Sequence, residues 1–70
     1  MHLRKEEKAL LWKKYRRMGL SEEESSLRLK KFVNHLNSLV EDLKSRKKSK
    51  EYIEIKFKEE FFNLCQSLES

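Results

Sequence analysis

The chain contains no proline and a single glycine, Gly19. Those two residues are the main punctuation of tight turns and many-stranded sheets. Their scarcity argues against a β-rich fold and for a few long helices. There is one cysteine, Cys65, so no disulfide can close within the chain. No run of about eighteen apolar residues occurs, and none is expected to span a membrane. The first residues lack an apolar h-region, so no secretory signal is expected. A lone cysteine without a signal fits a reducing cytoplasm.

With one glycine, the chain cannot supply a phosphate-binding loop, a dinucleotide fingerprint or an EF-hand loop. Histidine is also scarce. His2 lies at the terminus, where order is not expected. His35 has Lys31, Phe32, Ser38 and Leu39 at its helical neighbour positions. None is a carboxylate, cysteine or histidine, so neither a metal pair nor an acid–base pair forms locally. Cys65 has no recognisable base and reads as a small apolar core residue. The glutamates at 6–7, 22–24 and 59–60 are neighbours in sequence, and on a helix such neighbours point about 100° apart. They do not converge on one substrate atom. These residues predict a non-enzyme with neither cofactor nor metal.

What is abundant is charge. Charged residues make up 41% of the 70 residues, and the formal net charge is +5. Residues 1–20 carry seven Lys/Arg against two Glu, hence +5. Residues 21–48 carry seven against five, hence +2, and residues 49–70 three against five, hence −2. A basic front and a slightly acidic tail suit an acidic partner or contact between copies.

The apolar residues recur at helical spacing. Gly19 can take the left-handed C′ position that ends a helix, with Leu20 folding back on Tyr15. Ser21 followed by Glu24 is a capping box. Glu22, Glu23 and Glu24 also complement the positive end of the helix dipole. These signals place helix 1 at about residues 4–18 and helix 2 at about 21–46. Leu11, Tyr15 and Met18 share a face of helix 1, with Trp12 at its edge. In helix 2, Leu29, Val33, Leu36, Val40 and Leu43 are spaced 4-3-4-3, a heptad seam. Ser49 is a candidate cap for helix 3, at about 50–68.

Two ambiguities attend the last segment. Residues 52–58 alternate as a half-buried strand would. Yet Ile53, Phe57, Phe61, Leu64 and Leu68 keep helical spacing throughout, and no second strand is on offer as a partner. The helix-2 seam also resumes in phase at Phe57. One continuous rod would then carry Lys47, Lys50 and Glu54 at adjacent seam positions, which is costly. The expected architecture is therefore all-α: one three-helix domain over residues 1–70. Helices 2 and 3 form a long antiparallel hairpin, and the short basic N-terminal helix packs across it.

Two kinds of function follow. Ile55 and Phe62 lie two turns apart, off the main stripe of helix 3. They are the candidate interface of a small interaction or regulatory protein that self-associates, as a homodimer, and docks on a protein partner. A second subunit is also a common device for stabilising a short chain. The alternative is DNA or RNA binding. Lys13, Lys14, Arg16 and Arg17 interleave with Trp12 and Tyr15, and Lys44, Arg46, Lys47, Lys48 and Lys50 form a second run. Arg4/Lys8, Lys13/Arg17 and Lys44/Lys48 are like-charge i,i+4 pairs, which repel unless an anion relieves them. A helix-turn-helix geometry fits poorly, because three glutamates would open its recognition helix. A membrane-surface role for the amphipathic helix 1 ranks third, since its apolar face is needed for the core.

Overall fold

The computed structural model describes residues 2–69. It consists of α1 (Lys5–Arg17), α2 (Glu22–Ser45) and α3 (Lys50–Glu69), with no strand among the described residues. The segment whose alternation suggested a strand lies inside α3. With no second strand for it to pair with, a helix satisfies its backbone locally. The rod alternative is likewise absent, because the chain breaks between α2 and α3. α2 and α3 pack along each other, and α1 packs across both.

Both breaks are Schellman ends. After α1, Gly19 sits at φ +91°. Its N–H donates to Arg16 O at 3.0 Å, and the Leu20 N–H donates to Tyr15 O at 3.3 Å. After α2 the same pattern forms without glycine. Lys47 takes φ +57°, its N–H donates to Lys44 O at 3.0 Å, and the Lys48 N–H donates to Leu43 O at 3.1 Å. Each turn closes on a serine cap. The Glu24 N–H donates to Ser21 Oγ, and the Tyr52 N–H donates to Ser49 Oγ, both at 3.1 Å. At the start of α1 the Arg4 N–H is received by the Glu7 carboxylate at 2.8 Å.

The 24 residues of α2 give it a length of about 36 Å, nearly the full 40 Å long axis of the molecule. Its buried residues are Ser25, Leu36, Val40 and Leu43; α1 contributes Leu11, Lys14 and Tyr15, and α3 contributes Ile53 and Phe57. Leu3, ahead of α1, completes the core. Leu29, Val33, Phe61, Leu64 and Leu68 pack against this cluster while only half-buried. The heptad seam is thus the inward face, most deeply buried toward the α2–α3 turn. Met18 departs from expectation. It is the C-cap residue of α1, beyond the last full turn, and is 51% exposed.

Candidate interaction surfaces

The basic residues of α1 do not form one platform. Lys14 was expected among the cations facing an anion, but it is buried and its ammonium pairs with the Glu69 carboxylate at the end of α3. It is withdrawn from any phosphate-binding set. Burial of an ammonium is tolerable here because a carboxylate meets it. Arg16 is engaged as well. Its guanidinium lies 5.7 Å from the centre of the Trp12 ring and donates to Leu20 O at 3.0 Å. That contact covers the half-buried Trp12, and Tyr15 is buried in the core. Neither aromatic is free to stack on a base. Lys13 and Arg17 remain exposed.

The second run behaves differently. Arg46 is held by Asp42 at 3.2 Å, one helical turn back. Lys47 is exposed at the crest of the turn. Lys44, Lys48 and Lys50 line one cleft of about 360 Å3 together with Val40 and Ile53. None of these three lysines lies within ion-pair distance of a carboxylate among the described residues. Lys48 instead stands 5.2 Å from the centre of the Tyr52 ring. α1 ends beside the start of α2, whereas this cleft lies at the far end of α2. The two basic clusters are therefore separated by most of that helix's roughly 36 Å.

Ile55 and Phe62 occupy the side of α3 opposite its buried seam. At about 100° per residue they fall within one narrow strip, with Tyr52 at its edge. Their exposures are 57% for Ile55, 60% for Phe62 and 39% for Tyr52. The flanking charges are locally matched: Lys58 meets Glu54 at 3.7 Å and Lys56 meets Glu59 at 3.3 Å. Lys56 also lies 5.6 Å from the Tyr52 ring centre. The strip is thus apolar with a nearly neutral border.

The remaining reactive side chains are spoken for. His35 Nε2 stands 3.6 Å from Glu60 Oε1 on α3, and the imidazole stacks against Phe32 with ring centres 6.3 Å apart. The carboxylate that His35 lacks on its own helix comes from the neighbouring one, a pairing invisible to local spacing. Both side chains are well exposed, and such pairs add little stability. Cys65 is half-buried. Burial pushes its thiol up, against the lowering influence of Lys14, and so keeps it protonated and a poor nucleophile. Burial likewise raises the Tyr15 phenol, with Arg28 acting in the opposite sense.

A wider cleft of about 650 Å3 brings His2, Arg4, Glu6, Glu7, Glu54 and Lys58 around Phe57. Three carboxylates there face two fixed cations, so it presents no field of one sign. Among the described residues, no three His, Cys, Asp or Glu side chains are grouped to hold a metal. No described helix is long and apolar enough to cross a membrane. Compared with known protein families, with curated proteins and with solved structures, the chain matches none.

Proposed function

We propose that the protein is a non-catalytic helical interaction protein whose docking face is the Tyr52–Ile55–Phe62 strip of α3, with a second copy of the chain as the occupant. One observation carries this reading: two large apolar side chains, each more than half exposed, stand directly opposite the seam that α3 spends on its own core. Scattered exposed apolar residues are ordinary. An aligned pair with an aromatic at its edge is the pattern by which a helix packs in a second direction.

The choice of occupant rests on charge. The chain carries +5 overall, yet residues 49–70 sum to −2. The strip itself is bordered by matched pairs, Lys58 with Glu54 and Lys56 with Glu59, so two strips can meet without a field of one sign opposing them. Burying Ile55 and Phe62 would contribute roughly 1.5–3 kcal/mol per side chain before the costs of association. A core of eight buried apolar residues among those described leaves a short chain with much to gain from a second subunit. The assembled copies would then present their remaining helical surfaces to a protein partner.

The nucleic-acid reading has less support. It loses Lys14 to Glu69, Tyr15 to the core and one face of Trp12 to Arg16, and its two basic clusters lie toward opposite ends of α2.

The test is native mass in solution for the intact chain and for Ile55→Ser with Phe62→Ser. The native protein is expected at twice its 8.6 kDa chain mass, and the double variant at the monomer mass with unchanged helical circular dichroism. A native protein that stays monomeric at millimolar concentration overturns the reading. A double variant that keeps the dimer mass does the same.

A further inference from the structure

From the lysine-lined cleft between the end of α2 and the start of α3 we infer a binding site for a compact phosphate-bearing anion, specifically a phosphomonoester attached to a small apolar body. The cleft adjoins the α3 strip where Lys48 stands over the Tyr52 ring, but its lining does not include Ile55 or Phe62, and its test does not depend on the oligomeric state.

The geometry rests on the turn. Residues 46–49 reverse the chain in a single Schellman end, with Lys47 forced into the left-handed region. That reversal brings Lys48 and Lys50, from the far side of the turn, to the cleft that Lys44 lines from α2. Lys44 stands in the last turn of α2 and Lys48 beyond the reversal, so it is the turn and not helical spacing that puts both on one cleft. The structure adds a third ammonium to them rather than a carboxylate. The nearby Asp42 is neutralised by Arg46 at 3.2 Å, so it does not cancel the field. Other lysines, Lys5, Lys8, Lys13, Lys30 and Lys31 among them, also make no ion pair among the described residues; what distinguishes Lys44, Lys48 and Lys50 is that they line one cleft.

The lining selects the ligand class. Three lysines lining one opening suit a dianionic terminal phosphate better than a track of singly charged diesters, which calls for cations spread along a path. Lysine acts on phosphate as a mobile point charge, so the three need no fixed mutual geometry. Val40 and Ile53 form the apolar wall. Both belong to the core, so the wall is fixed in place, and only a small part of each side chain reaches the opening. A volume of about 360 Å3 is at the small end of ligand pockets, which run from roughly 300 to 1,000 Å3. A phosphate alone would leave that wall uncovered.

The experiment titrates the full chain with phenyl phosphate and, separately, with inorganic phosphate, following backbone amide resonances. Phenyl phosphate is expected to shift Lys48 to Ile53 saturably, with an affinity about tenfold above that of inorganic phosphate. Lys44→Gln with Lys50→Gln is expected to weaken it by about tenfold or more while the helical circular dichroism stays unchanged. Lys13→Gln with Arg17→Gln, at the other end of the molecule, is expected to leave the affinity as it is. Vesicles containing phosphatidic acid, a lipid with a terminal phosphomonoester beside its apolar chains, serve as a further arm. Cosedimentation that depends on Lys44 and Lys50 supports the site and gives its phosphate a lipid source. Equal affinities for the two phosphates overturn the inference, as do shifts spread equally over Lys13 and Arg17. Phenyl phosphate binding that survives Lys44→Gln with Lys50→Gln overturns it too.

Discussion

Lys14, near the end of α1, and Glu69, in the last turn of α3, form an ion pair across 55 positions of sequence. The ammonium side is 10% exposed and the carboxylate side 65% exposed. The asymmetry sets the energetics. Glu69 can return to water if the pair breaks, whereas Lys14 is left with its charge inside the bundle.

Glu69→Gln is therefore expected to lower the melting temperature at pH 7. The pH dependence has a definite sign. The Lys14 hydrogen bond and charge hold the Glu69 carboxyl below its ordinary value of 4.5. The pair's contribution is fully present above that value and is lost as pH falls through the lower, folded value. Thermal melts of native protein and variant should differ at pH 7 and converge at about pH 2. A constant gap at both pH values would show that Glu69 acts other than through its charge.

The two turns make opposite predictions for glycine. Lys47 adopts φ +57° and Gly19 φ +91°. A side chain in the left-handed region costs roughly 1–2 kcal/mol relative to glycine. Lys47→Gly should therefore raise the free energy of unfolding by about 1 kcal/mol. Gly19→Ala should lower it by a similar amount, although nothing lies within 4 Å of the position its Cβ would occupy. The penalty is conformational, not steric packing. Urea midpoints at constant slope would measure both.

These turns also show how far the sequence was legible. Gly19, Leu20 and Ser21 carry their own conformational signals, and the end of α1 follows from them residue by residue. Lys47 carries none, since nothing in a Ser-Arg-Lys-Lys-Ser-Lys run marks which residue goes left-handed. Only the packing of Ile53 and Phe57 onto α2 demands the reversal. Periodicity likewise identified Leu36, Val40, Leu43, Ile53 and Phe57 as core. It missed Leu3, which precedes its helix and so falls outside any helical period. It missed the burial of Lys14, because chemical type pointed outward while the angle on α1 pointed inward. Helical spacing offers three opposite-charge i,i+4 pairs, Glu24–Arg28, Asp42–Arg46 and Glu54–Lys58; the last two form, and the first makes no ion pair among the described residues. Exposure of Ile55 and Phe62 was readable, since no fold buries every side of a surface helix. The lysine cleft was half readable: the cations were plain, and their convergence on Val40 and Ile53 needed the turn geometry.

Ser25 offers a further check on packing. It is fully buried, and its hydroxyl finds no hydrogen-bond partner among the described residues. A small side chain at this inward position of α2 lets the helices approach closely, while the orphaned hydroxyl is a cost. Ser25→Ala keeps the size and removes the unsatisfied group. It should be neutral or stabilising by up to about 1 kcal/mol. Ser25→Leu should destabilise by about 1–3 kcal/mol, through overpacking. If Ser25→Ala instead destabilises, the hydroxyl has a partner in solution, most simply a trapped water.

The last prediction concerns how much of the fold one side chain holds. Leu36 is 1% exposed and sits midway along α2. It lines a narrow space with Leu3, with Lys8 of α1 and with Phe57 of α3, so all three helices meet around it. Truncation to alanine at such a site costs about 2–5 kcal/mol, rising with the cavity that fails to collapse. A domain of this size has a total stability of roughly 5 kcal/mol. Leu36→Ala should therefore leave the chain largely unfolded at 37 °C, with loss of helical circular dichroism. Leu29→Ala, at a half-buried rim position, should melt only a few degrees lower. The comparison separates a bundle organised around one central layer from one whose stability is spread evenly along the seam: similar losses at the two positions would support the second.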